Sequence, residues 1–276
     1  MRSVAIILWL LAMTYIEDAR AGASVQTEQL AAELISESTT LAPGETVWLG
    51  LRLKHAPGWH TYWINPGDSG LPTKLKWTLP EGYSAGDIVW PTPKRFSVGE
   101  LANFGYDGDV LLPVAVLVPA VVKPGPRTNL SVDARWLVCH EECVPGRAML
   151  KLDLPIATQV HVDPRWRRAF ADVRAAQPAS ESLQASARDT GKQIELRLPG
   201  VAISHDTDVD AFAMQTKVVA NARPTIDKHD ADTLLVFAKS DYFTSIPNAL
   251  DLVLIRAHAP ALRVHATFAG PSAPSS

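Results

Sequence analysis

Two cysteines are the residues of this chain whose type and spacing best suit chemistry. Cys139 and Cys143 are the only cysteines among the 276 residues, and three residues separate them. Two thiols this close can form a disulfide in an oxidising compartment, and they can exchange electrons with another dithiol. A disulfide across so short a loop contributes only about 2 kcal/mol by the chain-entropy estimate. The spacing therefore favours exchange chemistry over a structural role.

The residues between the cysteines leave alternatives open. A protonated His140 favours a thiolate, whereas Glu141 and Glu142 oppose it by charge repulsion, so the sequence does not fix the direction of a thiol pKa shift. Cys139, Cys143 and His140 are also suitable ligands for Cu(I), which makes a copper-binding module the second hypothesis. The third is a non-redox adaptor in which the disulfide only shapes the chain.

Strand-like segments flank the cysteine pair. Leu130 to Val138 precede it and Ala148 to Leu154 follow it, and both segments are apolar or alternate in polarity. Two such segments around a short connection predict a β-hairpin, where Cα atoms can approach to the roughly 4.4–6.8 Å that a disulfide needs. We therefore expect both thiols near an accessible turn.

The rest of the chain predicts an all-β protein. Its 21 prolines and 16 glycines accompany short apolar segments separated by turn clusters, a pattern typical of β-sandwiches. The length suggests two domains. The clearest further predicted strands are 47–53, 75–79, 110–118, 183–188, 193–198, 234–238, 250–255 and 262–268.

One helix is predicted between the two sandwiches. Asp163 is a good N-cap, Pro164 fits the first helical position, and Trp166, Phe170 and Val173 share one face. We read this segment as a linker. The predicted organisation is a first domain over 24–157, the linker over 158–178, a smaller second sandwich over 179–269 and a disordered tail over 270–276.

The amino terminus predicts export. Arg2 precedes the apolar run Val4 to Ile16, and small residues follow near position 23, as in a secretory signal peptide over residues 1–23. We expect a periplasmic protein, with an uncleaved membrane anchor as the alternative. The net charge of −3 gives no reason to expect nucleic-acid binding.

Several motifs in order resemble one known family. Pro57 to Pro72, with the sequence PGWHTYWINPGDSGLP, is similar to the amino-terminal periplasmic region of the ScsB (suppressor of copper sensitivity) branch of the DsbD thiol:disulfide interchange proteins. The resemblance covers most of residues 30–157. Its further motifs are Ile88 to Pro91, Phe104 to Gly108, Leu111 to Val114, and Trp136 to Cys139 with Cys143 to Pro145.

The resemblance implies an immunoglobulin-like domain that works as a thiol:disulfide oxidoreductase component. Its Cys139/Cys143 pair would receive electrons from a membrane relay of the CcdA or DsbD type and pass them to periplasmic thioredoxin-fold oxidoreductases. Because the sequence contains neither a relay nor a thioredoxin-like domain, we expect the relay to be a separate protein. This role needs no cofactor, and copper remains the alternative.

The resemblance also implies supporting residues around the pair. His60 and Tyr62 would line the strand that faces the cysteines. The sequence itself adds Trp136, because it lies close to the motif, with core packing as the alternative for this and the other large aromatic residues. Phe96, in a loop over residues 93–97, would cover the disulfide. His140 and Glu142 complete the predicted site.

Overall fold

The computed structural model describes residues 23–125, 127–179, 182–201, 203, 209–229, 232–257 and 259–268. The predicted signal peptide, apart from residue 23, and the predicted tail lie outside these ranges. The all-β prediction is confirmed, since three sheets and one short helix make up the regular structure of the described residues. No helix among them is long and apolar enough to cross a membrane.

The first two sheets contain only strands from residues 24 to 155. These strands are β1 (Ser24–Gln26), β2 (Leu30–Ser36), β3 (Thr46–His55), β4 (His60–Gly67), β5 (Lys74–Thr78), β6 (Ser84–Ile88), β7 (Lys94–Val98), β8 (Leu101–Asp107), β9 (Asp109–Leu117), β10 (Arg127–Cys139) and β11 (Cys143–Pro155). One sheet has the order β1-β2-β3-β9-β6, and the other has the order β11-β10-β4-β8-β7 with β5 beside β10.

The core of this first domain lies between the two sheets. Alternate apolar residues of the long strands enter it, because successive side chains of a strand point to opposite faces. Trp63 of β4 and Phe104 of β8 are among its fully buried members. From β3 and β10 it receives Leu49, Leu51, Leu53, Leu130, Val132, Ala134, Trp136 and Val138. The opposite face of the second sheet is therefore free to present the cysteines.

The helix α1 (Arg167–Ala175) begins later than the sequence predicts. The Asp163 carboxylate accepts a hydrogen bond from the backbone N–H of Arg165 at 2.9 Å, and the Asp163 carbonyl accepts from Trp166 and Arg167. Asp163 thus closes a turn ahead of the helix, and the predicted N-cap is wrong by three residues. Trp166 occupies the cap position.

The helix also packs on one domain. Phe170 and Val173 are buried against Ile35 and Leu111 on the outer side of the first sheet. The helix therefore covers the first domain, and the chain passes to the second domain only after it ends at Ala175.

The third sheet contains only strands from residues 182 to 268. They are β12 (Ser182–Asp189), β13 (Gln193–Leu198), β14 (Val209–Ala213), β15 (Thr225–His229), β16 (Asp232–Ala238), β17 (Ala249–Arg256) and β18 (Ala259–Phe268). Their order is β14-β17-β18-β12-β13-β16-β15. Residues from β12, β13, β14, β16, β17 and β18 share one buried cluster, so the sheet curves around its own core.

The two domains are in contact through β14. The Phe212 ring lies 4.9 Å from the Phe104 ring and 6.3 Å from the Trp63 ring, and it is buried in the core of the first domain. The Asn65 side-chain amide donates a hydrogen bond of 2.8 Å to the Ala213 carbonyl. The second domain therefore rests against the strands β4 and β8.

Candidate functional site

The cysteines lie at the two ends of a tight hairpin. Cys139 is the last residue of β10 and Cys143 is the first residue of β11, and the two are directly opposite in the antiparallel ladder. Their Cα atoms are 4.2 Å apart, and their sulfur atoms are bonded in a disulfide. The backbone N–H of His140 donates to the Glu142 carbonyl at 3.0 Å, which closes the turn.

The two sulfur-bearing residues differ in accessibility. Cys139 is only 2% exposed, whereas Cys143 is an exposed residue. The difference arises because β10 has β4 as its neighbour at this end, where Cys139 pairs with His60, while β11 is an edge strand. An incoming thiolate can therefore reach Cys143 much more easily than Cys139.

Tyr62 contacts the exposed cysteine. Its hydroxyl oxygen lies 3.8 Å from the Cys143 sulfur, and its side chain is almost fully buried. Burial raises the pKa of Tyr62, against a smaller opposite effect of Ser69. The hydroxyl therefore stays protonated and can donate a hydrogen bond to a sulfur anion. Gly70 makes room for the ring, since a Cβ at that position would lie 2.2 Å from Tyr62 Cε1.

His60 lies beside the buried cysteine. It is 5% exposed, pairs with Cys139 across the ladder and has its ring 5.3 Å from the Tyr62 ring. Burial lowers the pKa of His60, and the nearby His55 and His140 lower it further, against an opposite effect of Asp107. The imidazole is therefore held in its neutral form beside the disulfide.

Phe96 covers His60. The two rings are stacked with centroids 4.6 Å apart and planes 11° from parallel. Phe96 belongs to β7 and reaches His60 across β8, whose Gly105 has no side chain on that face. Phe96 was expected in a loop, but it lies in an edge strand, because residues 94–98 pair with residues 101–105.

Trp136 was expected beside the cysteines, but it faces the core between the sheets. Three positions separate it from Cys139 along β10, and an odd separation places two residues on opposite faces of a strand. Gly146 lies opposite Trp136 in the ladder, and a Cβ there would come within 2.2 Å of the indole nitrogen. Trp136 therefore supports the hairpin from its inner side.

The turn residues are open to solvent. His140, Glu141 and Glu142 are exposed, and the His140 ring lies 5.9 Å from the Trp59 ring. Within the described ranges, no three His, Cys, Asp or Glu side chains are grouped so as to hold a metal ion. The turn therefore leaves the Cys143 side of the disulfide open to solvent.

Sequence reasoning missed the contacts that the second domain makes next to Phe96. The Arg95 guanidinium donates to both oxygens of the Asp210 carboxylate, with an Nη2 to Oδ1 distance of 2.7 Å, and it also donates to the Asn221 carbonyl. It lies 4.8 Å from the Phe104 ring centroid and 5.1 Å from that of Phe212. We call these five residues the Arg95 cluster. Arg95 and Asp210 are 115 positions apart, and no local pattern relates them.

Comparisons with known proteins agree with this site. Residues 28–155 match the family model described as thiol:disulfide interchange protein DsbD, N-terminal. A crystal structure of the N-terminal periplasmic domain of ScsB from Proteus mirabilis superposes with a TM-score of 0.68 at 19% identity, covering 90% of this chain and 98% of that one. A search of curated proteins finds no match.

Two further solved structures superpose poorly. Domains 5–6 of the S-layer protein SbsC have a TM-score of 0.22 at 11% identity, covering 90% of this chain and 100% of that one. The YadV chaperone has a TM-score of 0.23 at 10% identity, with coverages of 85% and 98%. Neither supports an argument about this protein.

The likeness to the ScsB domain shows the shared fold, and the family model spans the candidate site residues. Its limits of 28 and 155 include His60, Tyr62, Phe96 and both cysteines. Over residues 28–155, the first domain of this chain is similar to the N-terminal domains of DsbD thiol:disulfide interchange proteins.

Proposed function

We propose that the protein is a periplasmic thiol:disulfide exchange protein that passes electrons from a membrane relay of the CcdA or DsbD type to thioredoxin-fold proteins. The observation that supports this most directly is the disulfide between an exposed Cys143 and a buried Cys139 at a hairpin end. Accessible disulfides are the ones that exchange readily. The similarity of residues 28–155 to the DsbD N-terminal family and the predicted signal peptide support the periplasmic location.

The difference in exposure between the two cysteines supports different roles for them in the first half-reaction. A thiolate of the donor attacks the Cys143 sulfur, forms a mixed disulfide and releases Cys139 as a thiolate, which takes up a proton. The second thiol of the donor then attacks the mixed disulfide and releases Cys143. Two electrons and two protons pass to this chain, and the donor leaves oxidised.

The second half-reaction reverses these roles. The Cys143 thiolate attacks the disulfide of the acceptor, and the Cys139 thiol then resolves the mixed disulfide. The Tyr62 hydroxyl, 3.8 Å from the Cys143 sulfur, can stabilise the thiolate by donating a hydrogen bond. His60 and Phe96 shield the resolving cysteine while Cys143 bonds to the partner.

Single-cysteine variants test this proposal in cells. Cys139→Ser leaves Cys143 as the only thiol, so mixed disulfides with partners should accumulate because the resolving thiol is absent. Cys143→Ser is the matched control, and it should trap far less because Cys139 is buried. Mass spectrometry of the captured proteins should identify a membrane relay and a thioredoxin-fold protein.

Two outcomes would overturn the proposal in favour of its alternatives. Tight Cu(I) binding by the reduced wild type, with no protein trapped by either variant, would indicate the copper-binding module. A disulfide that stays intact in cells, with no partner trapped and no copper bound, would indicate an adaptor.

A further inference from the structure

The strand β7 has different partners on its two faces. Arg95 lies opposite Phe104 in the ladder and Phe96 lies opposite Asn103, so their side chains leave the sheet on opposite sides. Arg95 enters the Arg95 cluster on the core side, and Phe96 stacks on His60 on the side of the disulfide. Consecutive residues of one strand thus connect the second domain with the redox site.

The strand has little else to hold it in place. It is five residues long, lies at the sheet edge and has β8 as its only partner in the sheet. The chain just before the strand is anchored, because the Pro91 carbonyl accepts a buried hydrogen bond of 2.7 Å from the Tyr106 hydroxyl. Within the strand, Lys94 forms an ion pair with Asp107 in which both side chains are substantially exposed. Exposed pairs contribute little to stability.

The Arg95 cluster is buried, in contrast to the exposed ion pair of Lys94 and Asp107. The side chains of Arg95 and Asp210 are only 11% and 13% exposed, and two aromatic rings enclose the guanidinium. Removing Asp210 from this buried, doubly hydrogen-bonded pair is strongly unfavourable, because the Arg95 charge is then left without a counter-charge. Arg223 also contacts the Asp210 carboxylate at 3.4 Å, but its side chain is 58% exposed and can be solvated instead. Since a shift of register by one residue would turn Phe96 to the other face, fixing Arg95 also fixes Phe96.

We propose that Asp210 of the second domain is a positioning residue for the redox site, acting through Arg95 to hold Phe96 against His60, the residue that pairs with Cys139. This inference rests on the proposed exchange function. In this proposal, the second domain keeps the resolving Cys139 covered, so that incoming thiols react at Cys143.

The test measures the reactivity of Cys139 directly. In the Cys143→Ser background the chain contains a single thiol, at position 139. The rate of its alkylation by iodoacetamide reports how well it is covered, and no partner protein is needed. Adding Asp210→Asn should raise this rate about tenfold, the factor that corresponds to a loss of about 1.4 kcal/mol in the free energy of closing the cover.

Two further variants distinguish positioning from general loosening. Asp189→Asn is the matched control, because Asp189 and Lys239 form a similarly buried pair, 18% exposed on each side, within the second domain. It should leave the alkylation rate unchanged. Phe96→Ala should raise the rate as Asp210→Asn does, and combining the two should add nothing further.

The proposal is overturned if Asp210→Asn leaves the rate unchanged, if Asp189→Asn raises it equally, or if the effects of Asp210→Asn and Phe96→Ala multiply. If Asp210→Asn shows no thermal unfolding transition, Arg95→Lys replaces it, since lysine keeps the charge but cannot form the two-pronged contact. The same three criteria then apply to Arg95→Lys. Failure of the exchange function would appear separately, as an absence of trapped partners with the alkylation pattern intact.

Discussion

Two hairpins of this molecule have the same short connection and close it differently. Three residues lie between β10 and β11, and three lie between β12 and β13. The first hairpin has the Cys139–Cys143 disulfide at its end. In the second, the Asp189 carboxylate accepts from the Gly191 backbone N–H at 2.8 Å, and the Thr190 N–H donates to the Gln193 carbonyl at 3.0 Å.

The difference indicates what the disulfide is for. Hydrogen bonds and one glycine suffice to close the β12–β13 turn, so a connection of this length needs no covalent bond. The β10–β11 hairpin is also the longer of the two, with thirteen paired positions against four. The ladder therefore already stabilises this hairpin, and the disulfide adds little further stability. We expect the disulfide to be available for exchange for that reason.

Removing either cysteine should have the largest effect on function and a small effect on the fold. Cys139→Ser and Cys143→Ser should each abolish turnover with a thioredoxin-fold partner, because two thiols are required for each transfer. The loss of stability should be about 2 kcal/mol, the value expected for so short a loop. Thermal unfolding of both variants checks this, and disappearance of the transition would mean that the disulfide is a structural staple.

The β12–β13 turn should depend on its glycine instead. Gly191 has a φ of +98°, a backbone conformation that other residues rarely adopt, although a Cβ there would meet open space. Gly191→Val should therefore cost about 1–2 kcal/mol in the free energy of unfolding, measured by urea denaturation. The rate at which a small dithiol reduces the disulfide should not change. A change in that rate would show that the two hairpins are coupled.

These hairpins also show which features are predictable from sequence. Both follow from local signals: apolar strands on each side, a turn cluster at 189–192 and the cysteine pair at 139–143. The register then follows, because a slip by one residue would expose Leu130 and Val132. The placement of His60 and Tyr62 was implied by the family resemblance, and the structure places both near the disulfide.

Other features depend on contacts between distant residues. The family resemblance implies a loop with a phenylalanine at residues 93–97, and pairing with β8 makes this segment a strand instead. Asp210 has no local pattern that distinguishes it from a surface aspartate, since its partner is Arg95 in the other domain. Tertiary contacts of this kind decide the structure without leaving a local signal.

The smallest expected effect is a pH dependence that comes from two buried histidines of the first domain, one of which pairs with Cys139 of the disulfide hairpin. Burial lowers the pKa of His60 and of His55. As the pH falls below about 6.5, the ordinary histidine value, the unfolded chain binds protons that the folded chain does not, so the free energy of unfolding decreases.

A variant isolates the share of His60. His60→Gln should show a shallower decrease between about pH 6.5 and pH 5, measured by urea denaturation at each pH. The carboxylates with lowered pKa values, such as Asp189, lose their stabilising effect only at lower pH. A decrease of equal slope in the variant would mean that His60 is not held neutral in the folded protein.

The reduction potential of the Cys139/Cys143 couple tests the central claim most directly. It is obtained by equilibrating the whole chain in buffers of known thiol/disulfide ratio and determining the reduced fraction by alkylation and mass spectrometry. An exchange site should be more easily reduced than a structural disulfide, with a potential above about −300 mV. A potential below about −300 mV would contradict the account, because the pair would then be a structural disulfide that periplasmic thiols do not reduce.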